Sequence, residues 1–359
     1  MAEDLGKRLL AEVEEVGLDE IFQLLRAQDE SQKQYFGLPQ LDRLISIALE
    51  NKLPASKTKS TQPVMIELMS NGAGGGKTHL LYHMLAHAVL PTTLPGKQAC
   101  AVVLDTDGHF NIPRLAQQLQ HLCSRRTHPA QSHDETVHSA LRHIHLFRPQ
   151  SLASTIATLA SLPTYLFDET RRRSFDRPLA LIALDSASAF YWPTRAEEEA
   201  AALFAATTPG AARPTSLPTW THLSAALKDA STAFSCPIIL TSWNLNRSTA
   251  MQQHGHGGEV QRMLRPSLPA PLSQLATVRF IVQRLPVRKF PVGISIEEAQ
   301  REAESRQKAV EEGRFECMVN EWGLDERLLQ KLQRAGAGFS FTIKDVGLLV
   351  GDERIETEL

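Results

Sequence analysis

The hydrophobic positions of the chain follow two different periods. Before residue 60, leucine, valine and isoleucine recur every three or four residues, which predicts helices over 9–25 and again over 41–49. From residue 64 onwards, short apolar runs alternate with longer helical patterns. This alternation predicts a mostly parallel, twisted sheet with helices on both faces, an α/β fold preceded by a short N-terminal helical segment.

The individual elements follow from the same pattern. Six apolar runs predict strands at 64–69, 100–104, 144–147, 179–184, 237–241 and 278–283. Helices are predicted at 77–90, 112–125, 152–167 and 223–234. Ser295 and Glu298 form a capping box that predicts a charged helix to about residue 312. A last strand pair, at 315–319 and 339–343, is expected to close the sheet.

Two stretches break this rhythm. Residues 196–219 are rich in alanine and then in proline, which predicts a mobile connection. Residues 245–274 contain few β-branched residues and several prolines, and they are predicted to form one long loop. Loops of this length inside a compact domain are usually functional or disordered.

Length and composition set the domain organisation. The chain has 359 residues and is 42% hydrophobic, which excludes wholesale disorder. We predict an N-terminal helical segment and linker at 1–62 and one domain at 63–359. The N-terminus is acidic rather than basic, the longest apolar run is 200–206, and the four cysteines form no close pair. These features favour an intracellular protein that has free thiols and does not enter a membrane.

A glycine-rich segment after the first predicted strand carries the main chemical signal. Its residues are Asn71, Gly72, Ala73, Gly74, Gly75, Gly76, Lys77 and Thr78. Strand, glycine-rich loop and helix are the context in which backbone N–H groups and a helix N-terminus bind phosphates. Lys77 would reach the β- and γ-phosphates of a nucleotide and Thr78 would bind magnesium. Asn71 stands where the strict pattern has glycine, and asparagine tolerates a left-handed backbone.

Two acidic strand ends complete the predicted site. Asp185 ends the apolar run 179–184 and is predicted to hold magnesium directly or through water, at the sheet edge where such folds bind ligands. Asp107 follows the strand 100–104 and is the candidate for orienting an attacking water. It is one methylene shorter than glutamate, so we expect weak hydrolysis at best. The alternative is an aspartate-rich turn without a catalytic role.

These segments resemble the RecA-like recombinases and their eukaryotic paralogues. The resemblance rests on Asp-Thr-Asp-Gly-His-Phe at 105–110, Asp-Ser-Ala-Ser-Ala-Phe-Tyr-Trp at 185–192 and Leu-Tyr-His at 81–83, and it covers about residues 60–285. It implies a RecA-like P-loop ATPase core that binds ATP and magnesium. It also implies a nuclear subunit of a hetero-oligomeric complex, next to the paralogue designated D, that assists recombinase filament assembly during homologous recombination and double-strand break repair.

Two departures from the recombinase pattern argue against an autonomous, filament-forming recombinase. Recombinases end the strand at this position in Thr-Asn-Gln, whose glutamine senses the γ-phosphate, whereas this chain has Ser242 and Trp243 after Thr241. An indole donates a hydrogen bond but accepts none. The Phe-x-x-Ala hook of self-polymerising recombinases is also not evident, because Phe22 is followed by Gln-Leu-Leu.

Charge indicates where DNA would bind. The whole chain has a formal net charge of −2, but residues 245–290 contain seven arginine or lysine residues against one glutamate, a local charge of +6. A local basic surface can bind phosphates despite a neutral total. The candidate DNA contacts are Arg247, Arg262 and Arg265, for single-stranded or branched DNA. The alternative is that these arginines serve solubility or a protein interface, because no aromatic stacking platform lies among them.

The sequence is also compatible with two alternative functions. The first is an active DNA-dependent ATPase with Asp107 as the water-orienting base and Lys77, Thr78 and Asp185 as phosphate and magnesium groups. The second is a small-molecule kinase with the arginines at 171–173 in a lid, although no acceptor site is evident. Whether the chain is an enzyme is therefore left open by the sequence.

Overall fold

The fold is an α/β sandwich built on one large sheet. The computed structural model describes residues 35–52, 64–124, 133–168, 170, 174–207, 219–245, 262–285 and 293–350. The strands are β1 (Met65–Ser70), β2 (Cys100–Asp105), β3 (Ile144–Phe147), β4 (Leu179–Asp185), β5 (Ile238–Trp243), β6 (Val278–Arg284), β7 (Arg314–Val319), β8 (Gly338–Lys344) and β9 (Gly347–Val350).

The helices alternate with these strands, as the sequence predicts. They are α1 (Pro39–Lys52), α2 (Lys77–Val89), α3 (Ile112–Ser124), α4 (His133–Leu141), α5 (Leu152–Phe167), α6 (Tyr191–Thr207), α7 (Trp220–Phe234), α8 (Ala270–Ser273), α9 (Ile296–Glu312) and α10 (Glu326–Arg334). No helix in the described ranges is long and apolar enough to cross a membrane.

The sheet has the strand order β3-β2-β4-β5-β1-β6-β7-β8-β9. The first six strands in this order are parallel, and β7, β8 and β9 continue the sheet in antiparallel pairs. The chain passes from β1 towards the β3 side of the sheet and then returns from β3 through β4 and β5 to β6. The connections therefore change direction next to β4, β5 and β1, and the carboxyl ends of these parallel central strands lie at one edge. Ligands bind at such an edge in open α/β sheets.

Two hydrophobic cores lie on opposite faces of the sheet. One joins the sheet to α1, α2, α3, α4 and α10, and the other joins it to α5, α7 and α8. Because both faces are covered, every residue of β1 and β2 is buried, which explains why both strands are mostly apolar. The four cysteines are buried within this framework, and they are thiols rather than disulfides, as predicted.

Most predicted elements agree with the observed ones to within a few residues. The capping box of α9 is confirmed, since the hydroxyl of Ser295 accepts the backbone N–H of Glu298 at 3.2 Å. The prediction of a mobile connection over 196–219 is wrong for its first part, because residues up to Thr207 belong to α6. Of the predicted loop 245–274, residues 270–273 form α8 and residues 246–261 lie outside the described ranges. The predicted helices at 9–25 lie outside them as well.

A buried carboxylate fixes the start of α1 on the core. One oxygen of Asp42 accepts the backbone N–H of Phe36 at 2.9 Å, whereas its second oxygen is buried without a partner among the described residues. Burial raises the pKa of Asp42 from 3.8 to about 6, against the smaller opposing effects of the Phe36 N–H and the Lys97 ammonium. At pH 5 the carboxyl group of Asp42 is therefore mostly protonated in the folded protein and mostly ionised in the unfolded chain.

This raised pKa predicts a pH-dependent gain from Asp42→Asn. Since the folded-state pKa lies above the unfolded value, wild-type stability falls as the pH rises from about 4 to about 6 and stays lower at neutral pH. The neutral amide avoids that cost, so we expect a gain of about 2 kcal/mol in the free energy of unfolding at pH 7.5 and almost none at pH 4. Urea unfolding at the two pH values measures this difference.

The matched control is Asp134→Asn, which removes an exposed carboxylate from the first turn of α4. Its effect should stay within about 0.5 kcal/mol at both pH values. An Asp42→Asn gain of equal size at pH 4 and pH 7.5 would contradict the assignment of a buried, charged Asp42.

Candidate nucleotide-binding site

The glycine-rich loop connects the end of β1 to the start of α2. Gly74 and Gly76 adopt φ of +75° and +94°, a left-handed backbone that glycine adopts without strain. A Cβ on Gly75 would lie 2.7 Å from the carbonyl oxygen of Val282, so a side chain is excluded there. Asn71 does not adopt a positive φ, so the tolerance expected of asparagine is not used. The glycines in the second half of the loop therefore determine its conformation.

The N-terminus of α2 is prepared for an anion. Gly76 is its N-cap and supplies no side-chain hydrogen bond, so the first backbone N–H groups of α2 lack a capping side chain. These groups and the helix dipole form a positive end next to Asn71, Ala73 and Gly74, which are exposed. Such an end fits the phosphates of a nucleotide.

Lys77 lies within this cradle and is only 7% exposed. Its ammonium donates to the hydroxyl of Ser70, which in turn donates to the carbonyl of Gly72 at 2.5 Å. Burial lowers the pKa of Lys77 from 10.5 to about 8, against the opposing charges of Asp185 and Asp107. A buried ammonium with incomplete charge compensation is stabilised when phosphate oxygens bind beside it.

Asp185 joins three elements at the sheet edge. Its carboxylate accepts the hydroxyl of Thr78 from α2 at 3.1 Å and the hydroxyl of Thr241 from β5. Burial raises its pKa, and these hydroxyl groups lower it to a smaller extent. Thr78 and Asp185 were predicted as magnesium ligands from separate parts of the sequence, and the fold places them in contact. Hydroxyl and carboxylate oxygens are the donors that this cation prefers.

The turn after β2 brings Asp107 towards the same edge. Asp107 accepts the backbone N–H of the exposed His109 at 3.3 Å. Asp105, which is buried, accepts Arg148 at 3.1 Å and the Phe110 N–H at 3.3 Å, and these bonds hold the turn. Burial has the largest effect on the pKa of Lys77 and on that of Asp185, and the charge of Asp107 raises both values. Asp107 therefore lies within electrostatic range of the cradle.

The end of β5 lies directly beside the glycine-rich loop. Trp243 pairs with Ser70 in the sheet register, and its indole is 38% exposed. The next residue, Asn244, donates its backbone N–H to Ser70 at 2.8 Å and its side-chain amide to Asn71 at 3.2 Å. Sequence reasoning identified Trp243 as the occupant of the sensor position but missed Asn244, because no motif signals this contact.

A buried ion pair beneath the site was not predicted either. Glu67, in the middle of β1, is 1% exposed and binds the guanidinium of Arg279 from β6 at 2.9 Å. Its other oxygen accepts the hydroxyl of Ser242 at 2.6 Å, next to Trp243. Arg279 was counted among the basic residues of the segment 245–290, but its pairing with Glu67 removes it from a DNA surface. The only sequence signal was one glutamate inside an apolar strand.

Two of the three candidate DNA contacts lie in the described segment before α8. Arg262 and Arg265 are exposed and precede α8, whereas Arg247 lies outside the described residues. The backbone of this segment is fixed at Leu264, whose N–H donates to the side chain of Asn320 at 3.0 Å and whose carbonyl accepts from it at 2.7 Å. The arginines at 171–173 also fall outside the described ranges.

Comparison with known proteins supports the resemblance inferred from the motifs. The chain is 36% identical over 123 residues to the DNA repair protein XRCC2 of the mouse, Mus musculus. The match covers 34% of this chain and 39% of the mouse protein, about two fifths of its length. No family model matches the chain. The similarity and the observed sheet confirm the predicted RecA-like resemblance and fold class.

The buried pair of Glu67 and Arg279 generates a stability prediction. Glu67→Met and Arg279→Met each leave one buried charge without its partner, so each should lower the free energy of unfolding by about 3 kcal/mol. The double variant removes both charges and should lose much less than the two single losses together. Chemical denaturation of the four proteins measures this coupling. Additive losses would mean that the two side chains do not stabilise each other.

Proposed function

We propose that the chain is an ATP-binding recombinase paralogue that acts as a subunit of a paralogue complex in homologous recombination and double-strand break repair, in the nucleus. Its ATP hydrolysis is weak or absent. The observation that carries the proposal is the meeting of Lys77, Thr78 and Asp185 at one sheet edge, in a chain that resembles a DNA repair protein. In this proposal residues 63–359 form the ATPase domain.

The roles of the residues follow from their chemistry. Backbone N–H groups from Gly72 to Thr78 bind the phosphates, and Lys77 places its ammonium beside the β- and γ-phosphates. Thr78 and Asp185 hold magnesium, which neutralises phosphate charge when it is bound. The hydroxyl of Thr241 keeps the carboxylate of Asp185 oriented towards α2.

Weak hydrolysis follows from two side chains at the same edge. Asp107 stands where recombinases use glutamate, and its shorter side chain sets the carboxylate back from an attacking water by roughly 1 Å, which can cost about 10²-fold in rate. Trp243 cannot accept a hydrogen bond and so does not replace the glutamine that senses the γ-phosphate. Nucleotide binding would then serve mainly to hold the subunit in its assembled conformation.

DNA and protein partners complete the proposal. Arg262 and Arg265 present cations at the exposed segment before α8, and Arg247 belongs to the same basic region of the sequence. Cationic side chains of this kind bind single-stranded or branched DNA through its phosphates. The proposed protein partner is another recombinase paralogue, of the D type, and the complex assists assembly of the recombinase filament.

A second candidate function is an active DNA-dependent ATPase. The observation that favours it is the position of Asp107, which is within electrostatic range of Lys77 and Asp185. In this case Asp107 acts as the base that orients water. The local backbone then places its carboxylate closer to the water and compensates for a side chain one methylene shorter than glutamate.

The nucleotide-binding part of the proposal is tested by Lys77→Ala. Removing a charged hydrogen bond to phosphate should weaken binding of a fluorescent ATP analogue, in the presence of magnesium, by about 10- to 100-fold. The matched control Lys228→Ala removes an exposed lysine from α7 and should leave the affinity unchanged. Equal affinities for all three proteins would contradict nucleotide binding at this loop.

Hydrolysis is tested by two substitutions of one residue. If the distance of Asp107 limits the rate, Asp107→Glu should raise DNA-stimulated phosphate release by about 10-fold or more, and Asp107→Asn should leave the low wild-type rate unchanged. Robust wild-type turnover that Asp107→Asn abolishes would instead establish the second candidate, the active ATPase.

A further inference from the structure

Helix α6 has an unusual relation to the rest of the protein. It follows β4 by six residues and is joined to the body at its first residue, where the ring of Tyr191 lies 6.5 Å from that of Trp220. Thr194 is 6% exposed and marks the side of the helix that faces the protein. Most of the remaining described side chains of α6 are exposed.

Three large apolar side chains of α6 lie on one face of the helix that is mostly turned away from the protein. At about 100° per residue, positions separated by three, four, seven or eight residues share one face of a helix. One such stripe lies mostly opposite Thr194, with Phe204 at its edge, and its members are Trp192, Ala196, Ala200, Leu203 and Phe204. The three large members are 57%, 67% and 56% exposed, in the order Trp192, Leu203 and Phe204.

This arrangement is the reverse of an ordinary surface helix, whose apolar stripe packs on the core. Scattered apolar residues at a surface are normal, but a continuous stripe marks an interaction site. Anchors spaced in this way along a helix are typical of a helix that binds in an apolar groove of another protein.

The charges beside the stripe define the chemistry of the partner. Glu197 and Glu199 are exposed and lie on the two borders of the stripe, whereas the exposed Glu198 lies on the opposite side of the helix. The only cation of α6, Arg195, binds Glu199 at 2.9 Å and lies 5.9 Å from the ring of Trp192. The helix therefore carries two more negative than positive charges. A second copy would bring the two acidic borders together, whereas a border of lysine and arginine would complement them.

We propose that α6 is a docking helix for another protein subunit, one that presents an apolar groove bordered by lysine and arginine. Trp192, Leu203 and Phe204 are the anchors in the groove, and the glutamates pair with its basic border. This inference rests on the proposed function, in which the chain is a subunit of a hetero-oligomeric complex, and it assigns the contact surface within that complex.

The test uses the full chain expressed in its native cells and purified with the subunits that bind it in one-to-one ratio. A photo-crosslinking amino acid at Ala200 should link the chain to such a subunit, at a peptide that contains apolar residues flanked by lysine or arginine. Leu203→Ser combined with Phe204→Ser should reduce the amount of this subunit retained by about tenfold or more. Glu197→Lys combined with Glu199→Lys reverses the charge on both borders of the stripe and should also reduce it, by a smaller factor.

The matched control is Ile296→Ser at the first residue of α9, an equally apolar position that is 79% exposed. It should retain the subunit fully, and all variants should keep the thermal transition of the wild type because the substituted side chains are exposed. Undiminished retention by the Leu203/Phe204 double variant, or cross-links between two copies of this chain, would overturn the docking surface while leaving the proposed function intact. A wild-type chain that binds no subunit would overturn both.

Discussion

The candidate site depends on how one buried carboxylate is satisfied. Asp185 is 4% exposed at the end of β4, and a carboxylate in that environment is stable only when it is hydrogen-bonded or paired with a cation. The hydroxyls of Thr78 and Thr241 meet this requirement and thereby join α2 and β5 to β4. The same contacts fix the distance between the loop that would bind phosphate and the strand end that would hold magnesium. The hydrogen bonds that satisfy Asp185 thus set the positions of α2, β4 and β5 relative to one another at this edge.

The sequence was sufficient for features that depend on local patterns. The six parallel strands are predicted within a few residues because most of their residues are apolar, and the glycine-rich loop is recognised from the order of its glycines, Lys77 and Thr78. Features that depend on tertiary contacts could not be predicted in this way. Glu67 sits in an apolar strand, and only the position of β6 shows that Arg279 neutralises it. Strand β9 and helices α4 and α10 were missed because their patterns are short.

Helix α6 illustrates a different limit of sequence patterns. Its alanines favour a helix, but the alanine- and proline-rich composition of 196–219 indicated a connection, and the periodic stripe gave no sign of which side faces the protein. Only the buried position of Thr194 defines that direction. Periodicity therefore shows that a helix has an apolar face, whereas the fold decides whether that face belongs to the core or to a partner.

In the proposed function, this edge binds a nucleotide in the assembled protein. This claim is tested most directly by measuring the nucleotide content of the complex purified from the native source, together with the identity of its subunits by mass spectrometry. We expect about one adenine nucleotide for each copy of the chain, lost with Lys77→Ala, and a copurifying recombinase paralogue. A complex with no nucleotide at this site, or with the same content in the Lys77→Ala variant, would contradict it.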